Sequence, residues 1–167
     1  MTRIAVISDS HNGDFHLERF VEFCRVEKID RIFHLGDVTD DVRWLQKRLD
    51  IPITGVAGNC DLRGAREARE TVEGKRFLLV HGDKYGVKYT LDRLSYYAEE
   101  NMMDAALFGH THRPYTGYVG KVLLINPGAL KDGSQCVMEV SAEDIVPHIK
   151  DVDNWFGAQA GGGGAAD

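Results

Sequence analysis

The chain has 167 residues, 43% of them hydrophobic and 28% charged, which is the size and composition of one globular domain. Its formal net charge of -6 argues against a broad nucleic-acid surface, since that binding depends on counterion release by Lys and Arg. No apolar run approaches the roughly 20 residues that span a bilayer, and the segment from Met1 to Val6 lacks the features of a signal peptide. We therefore expect a cytoplasmic protein without a membrane segment.

The first part of the chain alternates short apolar runs with helical stripes, a pattern typical of α/β folds. Strands are predicted at residues 4–7, 32–35 and 51–56, and the first of these is a continuous apolar run, as in strands covered on both faces. Helices are predicted over residues 15–26 and around residues 42–49, where apolar side chains recur every three or four positions.

The pattern changes near residue 71, where two hairpins are predicted with turns at Glu73-Gly74 and Gly120-Lys121. A third helix around residues 91–98 and a buried strand at 105–108 lie between them, and two more strands follow at 135–140 and 145–149. The sequence therefore predicts an α/β fold of two packed sheets with helices outside, in one domain over residues 1–150. Residues 157–167 are predicted to be a flexible Gly/Ala-rich tail.

Polar residues of the kinds that bind metals follow five of the predicted strands. In open α/β sheets, ligands bind beyond the carboxyl ends of the strands, so these side chains are expected to share one rim. Glycines beside several of them permit close approach of the backbone to an ion. The seven candidate ligands are Asp9, His11, Asp37, Asn59, His81, His110 and His112.

Most of these candidates also have an ordinary structural explanation when they are considered singly. Asp9 and Asp37 could cap the helices that follow them. Asn59 could occupy a left-handed turn, and His81 could be a hydrogen-bonded loop residue. Paired histidines at positions i and i+2, such as His110-Thr111-His112, are unusual outside metal sites. Taken together, the candidates favour metal binding.

The candidate set contains two carboxylates, one amide and four imidazoles. This mixture suits manganese, iron, zinc or nickel better than calcium or magnesium. Seven ligands are too many for one tetrahedral ion, but they fit two divalent ions if one carboxylate bridges them. The sequence therefore predicts a site for two divalent ions, for which manganese is the first choice and Zn²⁺, Fe²⁺ or Ni²⁺ are alternatives.

These motifs occur in the same order as in the calcineurin-like metallophosphoesterase superfamily, which the chain resembles over about residues 1–150. The short length, the stretch 81–88 and Asn126-Pro127-Gly128 are similar to its small YfcE-like phosphodiesterase branch. One such motif alone would be weak evidence. The five that carry the resemblance are Asp9-Ser10-His11, Gly36-Asp37, Gly58-Asn59-Cys60-Asp61, His81-Gly82 and Gly109-His110-Thr111-His112.

The resemblance implies a division of the ligands that spacing alone does not give. One metal would be held by Asp9, His11 and His112, the other by Asn59, His81 and His110, and Asp37 would bridge them. The nucleophile would be a bridging hydroxide that attacks phosphorus in line, with catalytic roles for Asp37, Asn59 and His110. The implied fold is a two-sheet αββα sandwich.

Cys60 departs from the pattern of many superfamily members, which carry at this position a histidine that assists the leaving group. A buried thiol would be a poor acid compared with an imidazolium. We therefore expect a small phosphodiester substrate, which needs the acid less than a monoester does. Two alternatives to this function remain: a phosphomonoesterase or nucleotide phosphatase, and a non-catalytic assembly scaffold of the same fold. The prediction also allows a homodimer.

Overall fold

The computed structural model describes residues 1–10 and 14–152. The predicted ligand His11 and the predicted tail at 157–167 lie outside the described residues. Ten strands and three α-helices are described. The strands are β1 (Thr2–Ile7), β2 (Arg31–His34), β3 (Ile53–Gly55), β4 (Glu67–Val72), β5 (Lys75–Val80), β6 (Ala105–Leu107), β7 (Tyr115–Val119), β8 (Val122–Asn126), β9 (Ser134–Val140) and β10 (Ile145–Asp151), and the helices are α1 (Asp14–Val26), α2 (Asp40–Gln46) and α3 (Asp92–Glu100).

The strands form two five-stranded sheets in the orders β10-β9-β1-β2-β3 and β4-β5-β6-β8-β7. In the first sheet β1, β2 and β3 are parallel, and β9 returns antiparallel to β1. In the second sheet β5, β6 and β8 are parallel, and β4 and β7 complete hairpins at the two edges. Both predicted hairpins are confirmed, and β3 begins one residue after Pro52, which has no N–H to donate to a sheet.

Three layers of apolar side chains hold the sheets and helices together. Alternate residues of both sheets, such as Val6 and Leu79, meet in the central layer between them. The opposite face of the first sheet packs against α1 and α2 through Phe20 and Leu45. The opposite face of the second sheet packs against α3 through Leu94. The predicted αββα sandwich is confirmed by this arrangement.

The parallel strands of each sheet end at the same rim of the sandwich. The two rims meet, because the backbone N–H of His110 in the second sheet donates to Asp9 in the first. Loops that follow β1, β2, β5 and β6 are therefore brought together at one end of the molecule. Among the described helices, none combines the length and apolarity needed to cross a bilayer.

Candidate metal centre

Asp9 follows β1 and is fully buried, with 0% of its surface exposed. Its Oδ2 accepts hydrogen bonds from the Ser8 hydroxyl at 2.6 Å and from the His110 backbone N–H at 3.0 Å. Its Oδ1 lies 3.2 Å from Nε2 of His112. One oxygen is thus bound to the protein, and the other faces imidazole nitrogen at the rim.

Asp37 follows β2 and is 2% exposed. Its Oδ1 accepts from the backbone N–H of Cys60 at 2.9 Å, and its Oδ2 lies 3.4 Å from Nε2 of His81. Helix α2 begins after Thr39 and has no side-chain cap. The interpretation of Asp37 as a helix cap is therefore wrong, and its carboxylate belongs to the rim.

His81 follows β5 and is 1% exposed. Its Nδ1 lies 2.8 Å from the carbonyl oxygen of Leu35, which can only accept a hydrogen bond, so Nδ1 carries the proton. The lone pair of Nε2 then points toward Asp37 and Asp9, whose oxygens lie at 3.4 and 3.8 Å. A histidine held through one nitrogen by a backbone carbonyl is the usual orientation of a metal ligand.

His110 and His112 follow β6 and are half-buried. Nδ1 of His110 lies 3.3 Å from Nε2 of His81. Burial is the main cause that lowers the pKa of His110 below its ordinary value, and the nearby His81 imidazole and Lys88 ammonium lower it further. Neutral imidazole is the form that binds metals, so this environment favours a ligand role.

Four of the predicted ligands have backbones in the left-handed region, where residues other than glycine are uncommon. Their φ angles are 55° for Asp9, 42° for Asp37, 69° for His110 and 64° for His112. Each such conformation costs on the order of 1–3 kcal/mol and is typically found where function requires it. The strain is concentrated at this rim.

Asp9, Asp37 and His81 each offer one ligand atom, and these atoms all lie within 4.8 Å of one another. Two carboxylates and a correctly oriented imidazole could hold one divalent ion. The structure therefore brings three predicted ligands into one cluster, with His110 and His112 at its border.

Asn59 precedes Cys60, whose backbone N–H donates to Asp37 of the cluster. It is exposed, and its amide nitrogen lies 3.8 Å from Sγ of Cys60. It lies in a turn, although it is not among the left-handed residues of the described ranges. Its ligand role, like that of His11, stays a prediction.

Asp61 is a positioning residue to which the motif analysis assigned no role. Its carboxylate accepts backbone N–H groups of Asp37 at 3.0 Å, Gly58 at 2.8 Å and Thr39 at 2.8 Å. Burial opposes its charge, but these three donors lower its pKa below the ordinary value. Arg66 donates to the carbonyl oxygens of Gly58 and Asp61. In the sequence, the position of this acid two residues after Asn59, within a turn, is the signal that could have indicated its role.

Asn126, at the end of β8, is fully buried and fixes the loop that carries the paired histidines. Its Nδ2 donates to the Gly109 carbonyl at 3.1 Å and to Oγ1 of Thr111 at 2.9 Å. Gly109 has no room for a side chain, because an added Cβ would overlap Ser8 Oγ. This loop therefore approaches Asp9 only because residue 109 is glycine.

His34 is a core residue whose ring nitrogens both have hydrogen-bond partners. It is fully buried, its Nδ1 accepts from the Gly36 backbone N–H at 3.1 Å, and its Nε2 lies 3.1 Å from the Ser10 hydroxyl. It therefore connects the loop that follows β1 to the loop that follows β2. Burial is the main cause of its lowered pKa, which keeps the ring neutral.

Cys60 is exposed rather than buried. Desolvation is the largest cause that raises the pKa of its thiol, followed by the hydrogen bond and charge of Asp37. The thiol is therefore protonated at neutral pH. Cys24 and Cys136, in contrast, are buried core residues.

Residues 2–143 match the family model of the calcineurin-like phosphoesterase superfamily domain. The chain belongs to this superfamily. A Bacillus subtilis relative named a probable metallophosphoesterase, YsnB, is 33% identical over 130 residues, which cover 77% of this chain and 75% of the relative. A Methanocaldococcus jannaschii relative named a phosphodiesterase, MJ0936, is 24% identical over 143 residues, or 75% of this chain and 82% of the relative.

Solved structures agree with this assignment. A Streptococcus pneumoniae protein described as a predicted phosphoesterase has a TM-score of 0.74 and 26% identity, covering 91% of this chain and 90% of its own. Vps29 of Entamoeba histolytica, solved with zinc, has a TM-score of 0.72 and 18% identity, covering 90% and 99% of the two chains. The second likeness concerns the fold alone.

Proposed function

We propose that this metallophosphoesterase is a phosphodiesterase that uses two divalent metal ions, with manganese as the first to test. The observation that carries the proposal is the convergence of Asp9, Asp37 and His81 from three strand ends in two sheets. Buried carboxylates that face an imidazole lone pair are the donor set of a divalent site.

The proposed division of ligands follows the family pattern. Asp9, His11 and His112 would bind one ion, Asn59, His81 and His110 would bind the other, and Asp37 would lie between them. Two contacts support it, because His112 pairs with Asp9 at 3.2 Å and His110 with His81 at 3.3 Å. The roles of His11 and Asn59 rest on the motifs.

When bound, the ions would supply the Lewis acidity that activates a water molecule and polarises the phosphoryl group. The chain's own residues hold the donors ready for this. Ser8 and the His110 N–H fix Asp9, the Leu35 carbonyl orients His81, and Asp61 fixes the backbone of Asp37. A site whose donors are already in place needs little reorganisation when substrate binds.

Diesters are favoured over monoesters by the residue at position 60. A general acid contributes typically 10²–10⁴-fold to catalysis, and the protonated thiol of Cys60 is a weak one. The diester with a good leaving group loses least from this weakness. The name of the M. jannaschii relative points in the same direction.

The scaffold alternative has support from fold alone, through the similarity to Vps29. A scaffold needs neither a bound metal nor catalytic turnover. The described residues nevertheless place five of the seven predicted ligands in or beside the cluster. The phosphomonoesterase alternative shares the metal chemistry and differs only in substrate. Both alternatives are separated from the proposal by one assay.

That assay uses purified protein loaded with Mn²⁺, measured for metal content and for hydrolysis of bis(p-nitrophenyl) phosphate and p-nitrophenyl phosphate. We expect more than one metal per chain and faster hydrolysis of the diester. Less than one metal per chain with no turnover of either substrate would favour the scaffold. Faster hydrolysis of the monoester would favour a phosphomonoesterase.

Asp37→Asn tests the proposed bridge, and Asp50→Asn is its matched control because Asp50 is exposed and lies outside the rim. The first change should weaken both metal sites and remove most activity, while the second should leave both intact. A near-normal rate in Asp37→Asn would show that the bridge assignment is wrong.

A further inference from the structure

A groove of about 600 Å³ opens beside the metal cluster, between the β5–α3 and β6–β7 connections. Val87, Lys88 and Leu91 line it from the first connection, and Arg113 and Tyr115 line it from the second connection and the start of β7. This volume lies within the range of about 300–1,000 Å³ that is typical of small-molecule sites.

The base of the groove is apolar and aromatic. Phe108 is 2% exposed, Val87 is also buried, and the ring of Tyr115 lies 6.5 Å from that of Phe108 at an interplanar angle of 50°. Tyr115 is 38% exposed, so it presents ring surface in the groove, whereas Phe108 and Val87 lie beneath. A flat aromatic ligand can pack against the Tyr115 ring, since stacking on aromatic side chains tolerates any base.

The rim of the groove carries positive charge. Lys88 and Arg113 are exposed and are the charged side chains among the described residues that line it. They come from different connections of the chain, in a protein whose net charge is -6. Two cations that line one groove form a local site for an anionic group.

The groove adjoins the loop that carries His110 and His112, and the charge of Lys88, on its lining, acts on His110. Thr111 lines the groove and lies between His110 and His112 in the chain. Its Oγ1 accepts hydrogen bonds from Asn126 at 2.9 Å and from the Arg113 N–H at 3.1 Å, so the shared loop is fixed. A phosphodiester bound at the cluster would extend one of its substituents along this groove.

We propose that the groove binds a nucleoside substituent that carries a second phosphate, and thereby selects small nucleotidyl phosphodiesters as substrates. The base packs against Tyr115, and the second phosphate is bound by Lys88 and Arg113. This proposal rests on the proposed phosphodiesterase function. A single nucleotide unit, rather than a long strand, suits the size of the groove and the net charge of -6.

Binding is tested first on protein stripped of metal, because the groove contains none of the proposed ligands. Thymidine 3′,5′-bisphosphate is titrated into the isotope-labelled protein, and amide chemical shifts are followed. We expect shifts centred on residues 87–91 and 108–115. Lys88→Met should weaken binding at least tenfold, whereas Lys150→Met, the same loss of charge at an exposed position of β10, should not.

Turnover is measured in the presence of Mn²⁺ with three substrates that share p-nitrophenol as the leaving group. They are methyl p-nitrophenyl phosphate, the p-nitrophenyl ester of thymidine 5′-phosphate, and the same ester with a 3′-phosphate. We expect kcat/KM to rise at least tenfold at each step. In Lys88→Met and Arg113→Met the ratio between the last two substrates should fall toward one.

The outcomes separate this inference from the function on which it rests. Shifts centred away from the groove, or equal binding by Lys88→Met and the wild type, would overturn the nucleotide assignment. Equal kcat/KM for all three substrates would also overturn it while leaving the phosphodiesterase intact. Absence of turnover, with binding retained in the groove, would contradict the phosphodiesterase and support the groove as a nucleotide site.

Discussion

Nδ1 of His81 lies 2.8 Å from the carbonyl oxygen of Leu35, across the junction between the two sheets. The carbonyl accepts a hydrogen bond from the N–H of Nδ1, which directs Nε2 toward Asp37, whose Oδ2 lies 3.4 Å away. Leu35 follows the last residue of β2, and His81 follows the last residue of β5. The orientation of this imidazole is therefore fixed by the packing of the sandwich before any ion binds.

Removing this imidazole should remove metal affinity. His81→Ala should bind Mn²⁺ at least a hundredfold more weakly than the wild type, because a ligand that is already oriented is lost. Calorimetric titration of metal-free protein measures the change. His148→Ala is the matched control, since His148 is exposed and pairs with Glu139 away from the rim. Equal affinity in the two variants would show that His81 is not a ligand.

Asp61 should stabilise the rim, although it is not one of the proposed metal ligands. In Asp61→Asn the amide NH₂ must face at least one of the three backbone N–H donors, whichever way it is turned. We expect the free energy of unfolding at pH 7 to fall by about 3 kcal/mol. Asp50→Asn should change it little, because Asp50 is exposed.

The same variant has a defined dependence on pH. The pKa of Asp61 is lowered in the folded protein, so its contribution is present above its ordinary pKa of 3.8 and is lost as the pH falls through the folded value. The difference in unfolding free energy between wild type and Asp61→Asn should therefore shrink in acid. A constant difference from pH 7 to pH 3 would contradict this explanation.

His34 should make the protein less stable in mild acid. Its pKa is lowered, so below its ordinary pKa of 6.5 the unfolded chain takes up a proton that the folded protein does not. The free energy of unfolding should fall with decreasing pH by up to about 1.4 kcal/mol per unit from this residue. In His34→Gln, measured in a chelator, this part of the slope should disappear. An unchanged slope would assign the effect to other groups.

Replacing Cys60 by histidine should widen the range of substrates. Cys60→His supplies the imidazole that many superfamily members carry, so monoester hydrolysis should gain on the order of 10²-fold relative to diester hydrolysis. Cys60→Ser is the matched control and should leave the ratio near that of the wild type. The ratio of kcat/KM for p-nitrophenyl phosphate and its bis ester is the measurement. If this ratio is unchanged in Cys60→His, residue 60 does not determine the preference for diesters.

The sequence predicted the elements and the rim because those features are local. Apolar runs and turn residues identified strands such as β1, and ligand types stood directly after them. The return of β9 beside β1 could not be predicted, because the paired residues Val6 and Cys136 are far apart in the chain. Pairing over such distances depends on packing and not on local pattern.

The contacts that orient the ligands also could not be predicted from the sequence. The proton on His81 is fixed by Leu35, and the loop of His110 by Asn126. Neither contact can be recognised from the spacing of residues along the sequence, because each joins separate strand ends that meet only in the folded sandwich. The exposure of Cys60 depends on the turn after Gly58 in the same way.

The most direct test of two ions bridged by Asp37 is anomalous diffraction from crystals grown with Mn²⁺. We expect two manganese peaks about 3.5–4 Å apart, with Asp37 contacting both, His81 and His110 beside one, and Asp9 and His112 beside the other. A single peak, or two peaks of which only one contacts Asp37, would contradict this expectation.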